Sequence, residues 1–181
     1  RQEINVSIGD ENKVVVCPPA QALVGTKDLV GKNISLGAQN CTWESRGSIT
    51  GALSPTDLKT VGCEYVILGH SSRREHLGEV DAIINKKVIA ALEAGLVPVI
   101  CVGETLKDRE AGKTDVVVTQ QVSTILDNID LKDRGHIIFA YEPVWAIFPS
   151  SLKVSPEDVA KEVKLMKTVI EATGFTDDQY S

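Results

Sequence analysis

Two residues of this chain combine proton-handling chemistry with a suitable setting. Glu142 closes the apolar run HIIFAYEP (His136–Pro143), and His70 closes YVILGH (Tyr65–His70). A carboxylate leaving an apolar run, with Trp145 and Ile147 close behind it, loses hydration and becomes a better proton acceptor than an exposed one. Pro143 restricts Glu142 to extended backbone. After His70 comes SSRREHLGE, where Ser71 or Ser72 suits the N-cap of a short helix. A helix start favours the uncharged imidazole, which can donate one hydrogen bond to a carbonyl oxygen. Brought to one face, such a Glu and His suit proton abstraction beside a carbonyl. Each also has a purely structural use. Glu142 can cap a neighbouring helix or pair with an arginine, and His70 can be a hydrogen-bonded framework residue. His76 and His136 lie in loop-like surroundings and receive no role.

The elements that must position these residues alternate along the chain. KVVVCPP (13–19), ISLGAQN (34–40), YVILGH (65–70), VPVICVGE (97–104) and HIIFAYEP (136–143) are short Val/Ile-rich runs that end on small or polar residues. Continuous apolar runs of this length suit strands buried on both faces of a parallel sheet. Helix patterns separate them. Ser54 precedes Pro55, with Gly62 at the stop; Ile83, Ile84, Val88, Ala91 and Leu92 share one face before Gly95; DVVVTQQVSTILDNI follows; and SPEDVAKEVKLMKTVIEATG opens on Ser-Pro and ends at Gly174. Strand and helix in alternation predict an α/β fold with right-handed crossovers. An open doubly wound sheet and a (β/α) barrel both satisfy that order. Polar residues gather at the C-terminal strand ends (Gln39, Asn40, His70, Glu104, Glu142), where either architecture builds its site. No glycine-rich nucleotide motif is present, which favours the barrel.

A single domain of 181 residues can enclose a sizeable core. The net charge of −6 argues against nucleic acid and anionic membranes as partners. Cys17, Cys41, Cys63 and Cys101 are far apart, without metal-ligand spacing, and each lies in or beside an apolar run. They read as reduced core residues in a cytoplasmic setting, with no metal implied. No leader, lipidation motif or membrane-length apolar run is evident.

AQNC, YVILGHSSRREHLGE, ICVGETLKDREAGKT and AYEPVWAI together resemble the triosephosphate isomerase family, in order and over nearly the whole chain. The resemblance implies the TIM (β/α)8 barrel, of which the chain carries about five βα units (the family's second to sixth strands) and is incomplete at both ends. It also implies a homodimer that interconverts dihydroxyacetone phosphate and glyceraldehyde 3-phosphate with no cofactor or metal. By the same resemblance, Glu142 is the base and His70 the neutral electrophile, a mechanism for which this enzyme family is a worked example of tuned acid–base groups. Glu104, Arg109 and Ser71 are supporting residues, and Ile147 and Phe148 belong to a lid over the substrate phosphate. AQNCTWESRGSIT, with Asn40 at its start and Thr50 near its tip, resembles a loop that inserts into a partner subunit.

Several positions depart from the family pattern. No Asn-x-Lys stands before KVVVCPP, and the glycine-rich phosphate loops of the last two strands are not found after EATGF. The lid reads FPSSLKVS where the family has a Gly-rich segment; Ser72 and Ala52 stand where glutamates are usual. The expected alternative to an isomerase is therefore an inactive homologue serving as a structural or interaction protein.

Overall fold

A computed structural model describes residues 13–31, 33–44, 49–130, 132, 137–147 and 152–174. Five strands follow the chain: β1 (Val14–Val16), β2 (Ile34–Ala38), β3 (Tyr65–Leu68), β4 (Val97–Val102) and β5 (Ile138–Tyr141). Their order in the sheet is β1-β2-β3-β4-β5. β1 pairs with β2, and β2 with β3, in parallel, in the registers Val14↔Ile34 and Gly37↔Tyr65. A doubly wound sheet reverses its order at a switch point. The order here never reverses, as a (β/α) barrel requires.

The helices are α1 (Leu23–Lys27), α2 (Pro55–Val61), α3 (Ser71–Leu77), α4 (Asp81–Glu93), α5 (Leu106–Glu110), α6 (Thr114–Ile125) and α7 (Pro156–Ala172). Local chemistry explains their limits. The Ser54 side chain accepts from Asp57 N–H while the Asp57 carboxylate accepts from Ser54 N–H, and Gly62 ends α2 at φ +104°, a left-handed conformation that glycine adopts without strain. Ser155 caps α7 by accepting from Asp158 N–H. α5 was not among the expected helices. Thr105 caps it by accepting from Asp108 N–H, so T-x-x-D was its signal.

Residues group into two compact units: 1–68 with 86–99, and 69–85 with 100–181. The first contains Leu36, Leu58, Val66, Leu68, Val88 and Leu96, all nearly inaccessible. The second packs Val118, Val122 and Ile125 of α6 with Met166, Val169 and Ile170 of α7. Within it, the Asn85 side chain donates 2.8 Å bonds to the Ile125 and Asp127 carbonyls at the end of α6. β2, β3 and β4 are largely buried, whereas β1 and β5 are only half-buried throughout. Burial on both faces therefore holds for most of each inner strand and not for the first and last. All four cysteines are free, with Cys41, Cys63 and Cys101 buried. Among the described residues no helix is long and apolar enough to cross a membrane.

Glu162 breaks the apolar face of α7. It is 2% exposed; its Oε1 accepts from Lys161 at 3.3 Å, and its Oε2 has no hydrogen-bond partner among the described residues. Burial pushes its carboxyl above the ordinary range, against the pull of Lys161. A raised carboxyl means the folded chain binds the proton more tightly than the unfolded one, so stability falls as pH rises through the carboxylate range. Glu162→Met removes that penalty. Its melting temperature at pH 7 should exceed the parent's by roughly 2–4 °C, equivalent to about 1 kcal/mol. The gain should disappear below about pH 4, where the parent's carboxyl is protonated in both states. A constant difference at every pH would assign the effect to packing alone.

Candidate active site

Everything that surrounds Glu142 and His70 here belongs to the second compact unit. The chain leaves β3 through Gly69 at φ +74°. His70 then becomes the N-cap of α3, its ring accepting from Ser72 N–H. Neither serine takes the capping position; histidine does so itself. His70 Nδ1 accepts from Ser72 N–H at 3.2 Å and lies 2.9 Å from Ser72 Oγ. With Nδ1 accepting, the ring proton resides on Nε2.

That Nε2 lies 3.1 Å from Glu142 Oε1, with the two side chains 41% and 17% exposed. The other carboxylate oxygen, Oε2, accepts from Ser71 N–H at 3.0 Å. Glu142 thus caps the first residue of α3 and meets the imidazole at once. The capping use expected of it occurs, and its side-chain partner is the imidazole and not an arginine. Ser71 contributes its main-chain N–H to this contact.

Two further groups hold the strand ends. Arg74 donates from Nε to the Gly69 carbonyl at 2.7 Å and from a terminal nitrogen to the Cys101 carbonyl at 3.3 Å, while pairing with Asp81 at 2.6 Å. β5 is fixed against β4 by Glu142 N–H donating to the Val102 carbonyl at 2.8 Å. Cys101 lies against Glu142. Burial, the Glu142 charge and a hydrogen bond from the thiol to that carboxylate push the Cys101 thiol up to about 12, so at neutral pH it is a donor and not a nucleophile.

Glu104 is fully buried. It accepts from Trp145 Nε1 at 2.8 Å, from Tyr141 OH at 3.0 Å and from Arg109 at 3.3 Å. Burial and the Glu104 charge push the Tyr141 phenol well above its usual range, which keeps it a donor. Arg109 stacks 4.2 Å over the Trp145 ring and pairs with Asp158 at 2.7 Å. The arginine bond, with help from Ser155, holds the Asp158 carboxyl below its usual range. This network fixes Val144–Ala146, a single 3-10 turn, on one side of residues 148–151 and the start of α7 on the other. Ile147 is 40% exposed beside that turn; Phe148 lies outside the described residues.

The loop residues belong to the first unit. Asn40 Oδ1 accepts from Lys87 Nζ at 2.9 Å. Thr42 N–H donates to the Leu53 carbonyl at 2.9 Å, drawing the two ends of the loop together. Thr50 is exposed. Trp145, Tyr141, Arg74, Cys101 and Asp158 escaped sequence reasoning as site partners. Only Trp145 carried a signal, through its closeness to Glu142.

The triosephosphate isomerase family model matches residues 2–179. A triosephosphate isomerase of Moorella thermoacetica is 44% identical over 165 residues, covering 91% of this chain and 66% of the relative. Those of Dictyoglomus thermophilum and Aquifex aeolicus are 42% and 43% identical, over 94% and 89% of this chain and 69% and 65% of their own lengths. The chain thus spans about two thirds of the length of the curated relatives it matches. With the strand order above and a match over nearly all its residues, the chain belongs to the triosephosphate isomerase family.

Proposed function

We propose that the chain carries the proton-transfer site of a triosephosphate isomerase, interconverting dihydroxyacetone phosphate and glyceraldehyde 3-phosphate with no cofactor. The observation that carries this reading is the meeting of Glu142 Oε1 and His70 Nε2 at 3.1 Å, each fixed on its far side by an amide of α3. When the substrate's carbonyl enters between them, the Nε2–H bond turns from Glu142 to the carbonyl oxygen. Glu142 then removes a proton from the adjacent carbon, charge builds on the oxygen as the enediolate forms, and His70 stabilises it. The hydroxyl proton of the first carbon then passes to the former carbonyl oxygen, and the carboxylate returns its proton to the neighbouring carbon, which leaves the aldehyde on the first.

Glu104 and Arg109 serve this site by anchoring both approaches to a lid that includes Ile147 and Phe148. Lid closure excludes water from the enediolate. The substrate is a small phosphorylated triose. The loop that carries Asn40 and, near its tip, Thr50 joins two copies of the chain into a homodimer in the cytoplasm. A coupled isomerase assay on the purified chain tests the reading. Turnover above the buffer rate is expected, and turnover at the buffer rate would leave the chain a structural homologue.

A further inference from the structure

We propose that Gln121 is a positioning residue for the Glu142 carboxylate, acting through the main chain of Gly103; this rests on the reading of Glu142 as the base. Gly103 is buried directly after β4, next to the last ladder bond between Glu142 N–H and the Val102 carbonyl. A side-chain carbon at Gly103 would overlap the Glu142 carbonyl. The two main chains are therefore in direct contact, and displacement of one is transmitted to the other.

What holds Gly103 comes from a helix. Gln121 Oε1 accepts from Gly103 N–H at 2.8 Å, and Gln121 Nε2 donates to the Gly103 carbonyl at 3.1 Å. One primary amide satisfies both main-chain groups, as an adjacent strand would. Only one orientation of the amide allows both bonds. The neighbours of Gly103 have other anchors: the Cys101 carbonyl accepts from Arg74, and the Glu104 side chain accepts from Trp145, Tyr141 and Arg109. The amide itself is carried on α6, whose Val118, Val122 and Ile125 are fully buried. The glutamine thus extends a rigid helix into the backbone that the base rests on.

The test compares the parent chain with Gln121→Met, which keeps the length but removes both polar atoms, and Gln121→Glu, which keeps the acceptor but sets a second oxygen against the Gly103 carbonyl. Both should lower kcat by about 10–100-fold with KM within about twofold, the consequence of a base displaced by a fraction of an ångström. Independently of turnover, the Ser71 amide, which donates to Glu142, should shift in its ¹H–¹⁵N spectrum, and Gly103 amide exchange should accelerate roughly tenfold. A parent chain without turnover would sink the isomerase reading, while the two amides would still report on the linkage. If Gly103 loses protection but the Ser71 resonance stays in place, Gln121 holds only its own glycine and the proposal is overturned. If Gln121→Met does not fold, Gln121→Glu provides the same readouts.

Discussion

Glu142→Asp should lower the maximal rate of isomerisation by about 10²–10³-fold while the substrate constant stays within a few-fold. Aspartate retains the charge but withdraws both oxygens by one carbon–carbon bond, about 1.5 Å. The Ser71 amide at 3.0 Å and the His70 ring at 3.1 Å are set for the longer side chain. The shorter one must either abandon them or drag the backbone that packs on Gly103. Binding of the phosphorylated end is untouched, so the loss belongs to kcat. Steady-state kinetics in both reaction directions decide this. Unchanged kinetics would remove Glu142 from its role.

The second large effect is on stability. Glu104→Ala should destabilise the chain by about 3–5 kcal/mol, lowering the melting temperature by roughly 6–20 °C. The variant leaves a void and strips the acceptor from a buried indole N–H, a phenol and a guanidinium in one step. Groups buried without partners incur their full desolvation penalty. Glu104→Gln keeps the volume and one acceptor oxygen, so it should lose clearly less. Calorimetry measures both, and Trp145 fluorescence should report the broken indole bond. Equal, small losses in the two variants would mean that the network is solvated and not the anchor described.

Local chemistry made much of this legible in the residues themselves. Ser54-Pro55 and Ser155-Pro156 open helices, and Gly62 and Gly174 lie at their ends, because capping and left-handed glycine depend on a few consecutive residues. The five strands announced themselves as apolar runs for the same reason. The end of β3 at His70 was legible, but the cap of the following helix was expected of a serine, whereas His70 Nδ1 takes the same amide. The partners of Glu142 and Glu104 could not be read locally. Cys101 looked like one more core thiol, and Gln121 one more polar residue on a helix. Their roles arise from approach across 18 to 41 positions, which no spacing pattern encodes.

The most direct measurement is solvent deuterium entering dihydroxyacetone phosphate in D₂O, followed by mass spectrometry. Exchange reports proton removal beside the carbonyl even when product is slow to leave. The native chain should label the substrate well above the buffer rate, and Glu142→Gln, whose amide cannot accept that proton, should fall to background. Labelling at equal rates in both proteins would show that the proton goes elsewhere.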